Sequence, residues 1–379
     1  MNARILYHII DGEVTGGNII CLKILEEALR RGYQAIVSSP SKGRFTDILR
    51  QKGINVYNIN TRGLFRFDSA IKLACLIKKE RINLVHSHAL LTGTVWSCIG
   101  AGLAGVPVIN HFHMQYFFNP NPFVKLYQFL LSRVTSKLFC TRAIAVSENV
   151  KRKIIEQGIP AYKVTVIYNG IDSDDVRYTK SPLEIRNEFG LKQDQRIIGE
   201  VGRLCEGKGQ DVLLKAAGKI RGKTADVVFL IIGEDLERRG EYKNKLEGLA
   251  EKLGLKEQFI FTGYRPDVMD LMNAFDMLVL PSLMEGLSMV ILEAMAAKKP
   301  VITTPIGGNL ETVMDGQTGT IVPKQDPDKL AEAILYHLNN PEISKRMGEK
   351  GYERVKEFFP LSRMVEQVMD IYKQIFMEK

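Results

Sequence analysis

Apolar residues along the chain follow two different periods, and the two periods alternate from one end to the other. Short apolar runs of strand character are separated by stretches in which apolar residues recur every three or four positions, as in amphipathic helices. Before residue 172 the pattern predicts the strands RILYHII, QAIVSS, NVYNI, NLVHSH, VPVINHFH, RAIAVS and KVTVIYN. After it, the pattern predicts RIIGEVG, DVVFLIIG, FIFTG, MLVLPS, PVITT and GTIVP. This alternation predicts an α/β protein with doubly wound parallel sheets.

The polar stretch DSDDVRYTKSP interrupts the alternation once, and we predict a linker there, over residues 172–182. A chain of 379 residues exceeds the usual size of one hydrophobic core, so we expect a domain on each side, over 1–171 and 183–359. Residues 360–379 are predicted to form one amphipathic helix that begins after Pro360. Because parallel sheets bind ligands at the carboxyl ends of their strands, we expect the two sheets to face each other across a ligand-binding cleft.

The composition is that of an ordinary globular protein, with 45% hydrophobic and 25% charged residues. Its net charge of +9 is uneven, because residues 1–171 hold 22 Lys and Arg against 9 Asp and Glu, whereas the rest holds 30 against 34. We expect the basic half to face an anionic partner, with random scatter as the alternative. The five cysteines form no CxxC pair and are predicted to be free thiols. Without a signal-peptide pattern or a long apolar run, a cytoplasmic location is expected.

A glycine-bearing loop follows the predicted strand RIIGEVG. In GRLCEGKGQDVLLKAA, the glycines Gly202, Gly207 and Gly209 surround Arg203 and Lys208 before a helical pattern begins. Backbone N–H groups and two cations suit a bound diphosphate. The spacing matches neither the GxxxxGK[ST] nor the GxGxxG phosphate-binding pattern. Taken alone, the loop could also be an ordinary solvated surface.

Two carboxylates, Glu285 and Glu293, bound the apolar run EGLSMVILE. If a helix begins near Ser288 after a turn at Gly286, the eight positions between the glutamates span roughly 12 Å. That length suits a nucleotide sugar, with Glu285 at the sugar hydroxyls and Glu293 at the ribose hydroxyls. The carboxyl pair of a glycosidase lies closer together, about 5 to 9.5 Å apart. The alternative is a glutamate at a helix start and a second, solvated one.

Several segments together resemble the retaining glycosyltransferases of family four, which have the GT-B fold. They are VGRLCEGKGQDVLLKA, FTGYRPDVMDLMNAFDMLVLPSLMEGLSMVILEAMAAKKPVITTPIGG, TGG at 15–17, PVINHFH at 107–113, AVSE at 145–148 and YNGID at 168–172. The resemblance therefore covers nearly the whole chain. It implies two Rossmann-like domains facing across a cleft, the first binding the acceptor and the second the nucleotide sugar. It also implies that the C-terminal helix crosses back onto the N-terminal domain.

The resemblance also implies the roles of single residues. Arg203 and Lys208 would bind the donor diphosphate, and Glu285 would hold the transferred sugar. Glu293 would bind the ribose, and His113 would hold a sugar hydroxyl near the reacting carbon. The catalytic set is then His113, Arg203, Lys208 and Glu285. The other donor-binding positions are Gly16, Gly17, Gly233, Tyr264, Gly286, Leu287, Ser288 and Glu293.

The reaction implied by the resemblance is retaining transfer of a sugar from a nucleoside-diphosphate sugar, with a UDP-sugar favoured, to a lipid-linked or cell-surface glycan acceptor. The two cations would replace a divalent ion, so no metal and no other cofactor is expected. The chain departs from the usual family pattern at His111, Met114, Asn309 and Leu310. These departures leave the reaction type intact but prevent a choice of sugar or acceptor.

Two histidine pairs and one acidic motif are candidate metal ligands. His86 with His88, and His111 with His113, lie two residues apart on predicted strands, so each pair points to one face. Neither pair has a carboxylate or cysteine at convincing spacing, and we predict no metal site there. The DSD at 172–174 resembles the DxD metal motif of another glycosyltransferase fold, but its place in the linker favours a turn.

Three other function classes compete with glycosyl transfer. A nucleotide-sugar epimerase of the same fold would use a similar phosphate site, but the pattern EGLSMVILEAMA favours transfer. A two-domain ligand-binding module is disfavoured by the Arg203 and Lys208 pair. A nucleic-acid binder would explain the basic half, yet aromatic residues interleaved with Arg or Lys are not evident, so no nucleic-acid partner is expected.

The stretch PFVKLYQFLLSRVTSKLFCTR, over 122–142, combines an apolar stripe with basic residues. The apolar positions at helical spacing are Phe123, Leu126, Tyr127, Leu130, Leu131 and Val134, and the basic ones are Lys125, Arg133, Lys137 and Arg142. Such a helix can lie in the interface of an anionic membrane, which would place the enzyme peripherally at the inner face of the cell membrane. In the alternative, the stripe faces the domain core and the cations are solvated.

Overall fold

The computed structural model describes residues 3–223, 226–236, 238 and 240–377. The chain divides into two compact units. The first comprises Met1–Asn169 together with Ser362–Lys379, and the second comprises Gly170–Leu361.

The first unit contains a seven-stranded sheet in the order β3-β2-β1-β4-β5-β6-β7. All of its neighbouring strands pair in parallel. The strands are β1 (Arg4–His8), β2 (Gln34–Ser39), β3 (Asn55–Asn58), β4 (Leu84–Ser87), β5 (Val108–Phe112), β6 (Cys140–Ala145) and β7 (Val164–Val166). The helices between them are α1 (Gly16–Arg30), α2 (Arg44–Gln51), α3 (Phe67–Lys79), α4 (Leu91–Ala104), α5 (Pro122–Leu138) and α6 (Glu148–Glu156). Its central strands β4 and β5 are buried throughout, because helices cover both faces of such a sheet.

The second unit contains a six-stranded parallel sheet in the order β10-β9-β8-β11-β12-β13. Its strands are β8 (Arg196–Val201), β9 (Val227–Ile232), β10 (Phe259–Gly263), β11 (Met277–Leu280), β12 (Val301–Thr303) and β13 (Gly319–Ile321). Its helices are α7 (Pro182–Glu188), α8 (Gln210–Ile220), α9 (Glu241–Lys252), α10 (Val268–Ala274), α11 (Met289–Ala296), α12 (Asn309–Thr312), α13 (Pro327–Asn339) and α14 (Pro341–Phe358). The order of each sheet reverses beside its first strand, at β1 and at β8, which makes both units Rossmann-like.

The last helix, α15 (Leu361–Met377), packs on the first unit, as predicted for the GT-B fold. Tyr372 is fully buried there and lies edge-on to Tyr33, with 6.0 Å between the ring centroids. Its hydroxyl donates a hydrogen bond to the Tyr7 hydroxyl on β1, 3.2 Å away. The helix is therefore part of the first domain's core.

The segment predicted as a linker, 172–182, is grouped with the second unit. The Asp270 carboxylate of α10 accepts hydrogen bonds from the backbone N–H groups of Thr179 and Lys180, at 2.6 and 3.2 Å. The chain instead passes between the units at two adjacent points. There the Ile171 N–H donates to the Phe359 carbonyl and the Leu361 N–H to the Ile171 carbonyl, at 2.9 and 3.0 Å. The two units meet along the chain at 169/170 and 361/362, where the sequence predicted boundaries at 171/172 and 359/360.

Two further sequence predictions concern the whole chain. All five cysteines are free thiols, as predicted. Within the described ranges, none of the helices combines the length and the apolar character needed to cross a bilayer.

Candidate functional site

The predicted phosphate loop begins where β8 ends, in the second unit. Arg203 is exposed, and residues 206–208 form one 3₁₀ turn before α8 begins at Gln210. Gly209 has φ = 73°, and a Cβ there would lie 2.2 Å from the Pro281 carbonyl oxygen. Only glycine fits this position, because it tolerates the left-handed conformation and the close approach of β11's end. The turn thereby fixes Lys208 beside the segment that follows β11.

Lys208 and Glu285 form an ion pair at this point. The Lys208 Nζ lies 2.6 Å from Glu285 Oε1, and the Ser282 hydroxyl donates to the same oxygen at 2.7 Å. Only 17% of the lysine side chain and 9% of the glutamate side chain are exposed. Two residues predicted to bind different parts of a donor are thus brought into direct contact, and Ser282 is a member of the site that the sequence did not reveal.

The turn after Glu285 is held in place by two adjacent glycines, Gly307 and Gly308. Gly307 has φ = 54°, and a Cβ on it would lie 2.2 Å from the Glu285 carbonyl oxygen. The Gly308 N–H donates to the Gly286 carbonyl at 2.5 Å. Leu287 and Ser288 are buried, and Ser288 precedes the first residue of α11. The predicted helix start near Ser288 is confirmed.

Glu293 lies on α11 and is partly buried, and burial raises its pKa to about 7. The estimate of about 12 Å between the two glutamates assumed that both lie along one helical axis. In the structure α11 begins at Met289 and Glu285 lies in the preceding turn, so only Glu293 is on the helix. Glu285, in the turn, contacts Lys208. Glu293 lies in the second turn of the helix.

Gly233 and Tyr264 lie at the carboxyl ends of the neighbouring strands. Gly233 follows β9 with φ = 144°, and a Cβ on it would lie 1.9 Å from the Gly202 carbonyl oxygen. Its N–H donates to the Gly263 carbonyl at 2.9 Å. Tyr264 is the next residue after Gly263, so it lies beside Gly233 at the end of β10. The predicted donor-binding residues of the second unit therefore follow β8, β9, β10 and β11, at one edge of one sheet.

A buried glutamate beneath the phosphate loop was missed by the sequence reasoning. Glu200 of β8 is fully buried, and its Oε1 accepts a hydrogen bond from Gln210 Nε2 at 3.1 Å. Gln210 also donates to the Arg203 carbonyl at 3.1 Å, which ties the loop to the strand. Burial raises the pKa of Glu200 to about 8, although the positive charge of Lys208 opposes this shift. A charged residue inside the apolar run RIIGEVG was the available signal.

In the first unit, the structure brings Gly17 and His113 together. Gly16 and Gly17 begin α1, whose N-cap is the Thr15 side chain, accepting from the Asn18 N–H at 3.3 Å. A Cβ on Gly17 would lie 3.0 Å from His113 Cδ2 and 2.9 Å from Ile10 Cδ1. Glycine is therefore needed for the helix N-terminus to approach the histidine ring. Burial lowers the pKa of His113 to about 4, so the ring is neutral.

His113 belongs to a cluster of four histidines that lie on β4, on β5 and directly after these strands. Its Nε2 is hydrogen-bonded to His88 Nδ1 at 2.9 Å. The ring centroids of His111 and His113 are 4.6 Å apart and those of His86 and His88 are 4.3 Å apart. The two sequence pairs thus form one cluster, because β4 and β5 are adjacent and paired in parallel.

The acidic motif at 172–174 forms no such cluster. Asp174 accepts hydrogen bonds from the Tyr352 hydroxyl and the Lys356 ammonium, both at 3.0 Å. The Lys356 bond lowers the pKa of this carboxyl. Within the described residues, the one group of His, Cys, Asp or Glu with metal-ligand proximity is His86, His88 and His111.

Helix α5 presents an apolar stripe to solvent. Its exposed apolar residues are Phe123, Leu126, Leu130, Val134 and Leu138, of which Phe123 is 83% exposed. The side that faces the domain carries the buried residues Ser132, Thr135 and Ser136. Lys125, Arg133 and Lys137 are exposed beside the stripe. Of the six predicted stripe positions, Phe123, Leu126, Leu130 and Val134 are thus exposed. Tyr127 and Leu131 are partly buried, so the alternative in which the stripe faces the core fits only these two.

Two family models match the chain. Residues 183–354 match the model of the glycosyl transferases group 1, and residues 14–175 match that of glycosyltransferase family 4. Both families are transferases, so neither match supports the epimerase alternative.

Several glycosyltransferases and one solved structure are similar to this chain. An uncharacterized glycosyltransferase of Methanocaldococcus jannaschii, MJ1178, is 30% identical over 334 residues, which cover 86% of each chain. The UDP-Gal:alpha-D-GlcNAc-diphosphoundecaprenol alpha-1,3-galactosyltransferase of Escherichia coli is 29% identical over 82% of this chain and 80% of that protein. The crystal structure of Anabaena Alr3699/HepE in complex with UDP-glucose matches with a TM-score of 0.87, at 23% identity over 98% and 99% of the two chains. This last likeness shows the GT-B fold.

Proposed function

The chain belongs to the group 1 glycosyltransferases of family 4, and from this premise we propose that it transfers a hexosyl group from a UDP-sugar to a lipid-linked glycan precursor, with retention of anomeric configuration and without a metal ion. The observation that carries the proposal is the ion pair of Lys208 and Glu285 at the carboxyl edge of the second sheet. It supplies one cation for a leaving diphosphate and one carboxylate for a sugar, in contact with each other.

The proposed work of the second unit is electrostatic. When the glycosidic bond to phosphate breaks, negative charge grows on the leaving diphosphate, and a preorganised cation lowers the energy of that state. Lys208 is held in place by Gly209 and by Glu285, so little reorganisation is needed when the charge develops. Arg203, exposed in the same loop, supplies the second cation. These two charges make a divalent ion unnecessary in the proposed mechanism.

The roles proposed for the carboxylates follow from their positions. Glu285 accepts hydrogen bonds from sugar hydroxyls while it keeps its contact with Lys208, so the sugar and the phosphate are aligned together. Glu293, one helix turn into α11, accepts from the ribose hydroxyls. The Gly17 backbone at the start of α1 and the neutral His113 ring are proposed to contact the diphosphate and a sugar hydroxyl.

The proposed donor and acceptor are supported by the similar proteins. The Escherichia coli relative is named for UDP-Gal and for a diphosphoundecaprenol-linked sugar, and HepE was solved with UDP-glucose. For this chain, a lipid-linked acceptor agrees with the solvent-exposed stripe of α5 and the three cations beside it. Such a helix can lie in the headgroup region of an anionic membrane, which would bring the first unit to a lipid-linked acceptor.

The proposal is tested by incubating the purified chain with a panel of UDP-, GDP- and ADP-sugars and polyprenyl-diphosphate-linked saccharides, with EDTA present throughout. We expect acceptor-dependent release of UDP and a lipid product one sugar larger. A matched Lys208→Ala preparation controls for contaminating hydrolases. Release that does not depend on an acceptor, or a product only when Mg²⁺ or Mn²⁺ replaces EDTA, would overturn the proposed reaction or its metal independence, respectively.

A further inference from the structure

The six histidines of the chain fall into two groups according to the partners of their ring nitrogens. His8 is bonded at both nitrogens, to the Ser38 and Thr61 hydroxyls at 2.8 and 3.1 Å. His337 is likewise bonded to the Thr320 and Ser344 hydroxyls, at 2.9 and 2.8 Å. Buried histidines elsewhere in the chain are thus fully satisfied, as is usual for buried polar groups.

The four clustered histidines differ from these two. Counting only partners within the described ranges, five of their buried ring nitrogens have no hydrogen bond: His86 Nε2, His88 Nε2, His111 Nδ1, His111 Nε2 and His113 Nδ1. A neutral imidazole carries a lone pair on one of its two nitrogens, so bare nitrogens on several adjacent rings are available to one common partner.

Three of the rings bring one nitrogen each close to the other two. The ligand atoms of His86, His88 and His111 all lie within 4.8 Å of one another. Three nitrogens around one tetrahedral ion, with bonds of about 2.0 to 2.1 Å, lie roughly 3.3 Å apart. The planes of the His86 and His88 rings lie at 11° and 29° to that of His111, so the rings must turn out of this stacked arrangement when they bind one ion.

The other nitrogens of two of these rings are held as in a metal site. His86 Nδ1 is hydrogen-bonded to the Tyr372 hydroxyl at 2.6 Å, and His88 Nδ1 to His113 Nε2 at 2.9 Å. In both rings the Nε2 atom is the bare one. Metal-ligating histidines share this arrangement, in which one nitrogen donates to an outer partner and the other binds the ion.

We propose that His86, His88 and His111 bind one transition-metal ion of the Zn²⁺ class. Three neutral imidazoles without a carboxylate or thiolate suit Zn²⁺, Co²⁺, Ni²⁺ or Cu²⁺, and they do not suit Mg²⁺ or Ca²⁺. The ion leaves His88 Nδ1 as an N–H donor to His113 Nε2, so it also fixes the tautomer of His113 with its proton on Nδ1. The site lies within the first unit and does not rest on the proposed transfer reaction.

The experiment titrates the full chain, prepared without a polyhistidine tag and dialysed against a chelator, with Co²⁺ and then with Zn²⁺. Bound Co²⁺ absorbs visible light, and Zn²⁺ displaces it without a colour of its own. His111→Gln is the test variant, and His8→Gln and His337→Gln are the matched controls. His111→Phe is a second test variant that keeps a ring in the stack and breaks no hydrogen bond of the described structure, so it is expected to fold.

We expect one equivalent of Co²⁺ to bind to the unaltered chain and to both controls, with an absorption band that Zn²⁺ removes. In His111→Gln and His111→Phe the affinity for Co²⁺ should fall at least tenfold. Losing even an outer partner of a metal ligand lowers metal affinity by about tenfold to a hundredfold. A Zn²⁺-induced rise in melting temperature should disappear in the same two variants. Equal Co²⁺ binding by His111→Phe and the unaltered chain would overturn the proposal, as would no stoichiometric binding to the unaltered chain.

Discussion

Lys208 Nζ lies 2.6 Å from Glu285 Oε1, although the two residues are 77 positions apart in the sequence. The contact exists because the 3₁₀ turn after β8 and the turn after β11 meet at Gly209 and Pro281. A largely buried ammonium with one carboxylate partner can attract a second anion to its remaining donor positions. The proposed diphosphate site depends on this relationship.

Removal of either loop cation should slow transfer strongly. Lys208→Ala and Arg203→Ala are each expected to lower kcat by about a hundredfold or more, the usual loss for one preorganised charge donor. The measurement is UDP release at saturating donor. Lys215→Ala, at an exposed lysine of α8, serves as the matched control and should keep the full rate. If both loop variants turned over normally, the electrostatic mechanism would be wrong.

Replacing Glu285 and replacing Glu293 should have different effects on the binding of UDP and on the turnover of the UDP-sugar. Glu293→Ala is expected to weaken the binding of free UDP by about tenfold to a hundredfold, because hydrogen bonds to a charged group contribute about 1.5–3 kcal/mol. Glu285→Ala should leave UDP affinity equal or tighter, since it frees Lys208 for the phosphate, while it damages turnover of the UDP-sugar. Calorimetric titration with UDP distinguishes the two. Equal losses of UDP affinity in both variants would contradict the division of roles.

Glu200 should make stability depend on pH. Its folded pKa, about 8, lies above the usual value of 4.5, so the folded state retains a proton that the unfolded state loses. The contribution is complete below pH 4.5 and is lost as the pH rises toward 8. Glutamine does not ionise, so the Glu200→Gln variant should not lose stability in this way as the pH rises. Its melting temperature relative to the unaltered chain should therefore rise between pH 5 and pH 8.

The control for this series is Glu349→Gln, at an exposed glutamate of α14. Its melting temperature should follow the unaltered chain at every pH. Parallel curves for Glu200→Gln and the unaltered chain would show that Glu200 ionises normally in the folded protein.

Helix α5 should bind anionic vesicles. The unaltered chain is expected to co-sediment with vesicles that contain phosphatidylglycerol, and less so as the salt concentration rises. Replacing Lys125, Arg133 and Lys137 by alanine should weaken binding, because each cation near such a surface contributes about 1 kcal/mol. The matched control replaces Lys72, Lys78 and Lys79 of α3, three exposed lysines on another helix. A chain that stays in the supernatant at low salt would favour a soluble acceptor.

The strands were predictable, because buried parallel strands are continuous apolar runs that end at glycine or polar residues. Each of the thirteen predicted runs contains or overlaps one strand of the described structure. The start of α11 was predictable for a similar local reason, since Gly286 and Ser288 stand directly before an apolar helical stretch.

Contacts between residues far apart in sequence were not predictable, either in the candidate site or in the segment 172–182. Asp270 binds residue 179 across 91 positions, which the polar composition of 172–182 could not reveal. The histidine cluster depends on the pairing of β4 with β5, which a single sequence does not specify. The spacing of apolar residues in α5 predicted a stripe but not whether the stripe faces solvent or the domain. The buried residues of this helix are serines and a threonine.

The central claim, transfer from a UDP-sugar with retention, is tested most directly by the anomeric configuration of the product. The measurement is the proton NMR spectrum of the saccharide formed from a UDP-α-hexose and a polyprenyl-diphosphate-linked acceptor. The account predicts a new α-linked sugar, recognised by the small coupling constant of its anomeric proton, and none in the Lys208→Ala preparation. A β-linked product, or no sugar transferred from any UDP-hexose, would contradict it.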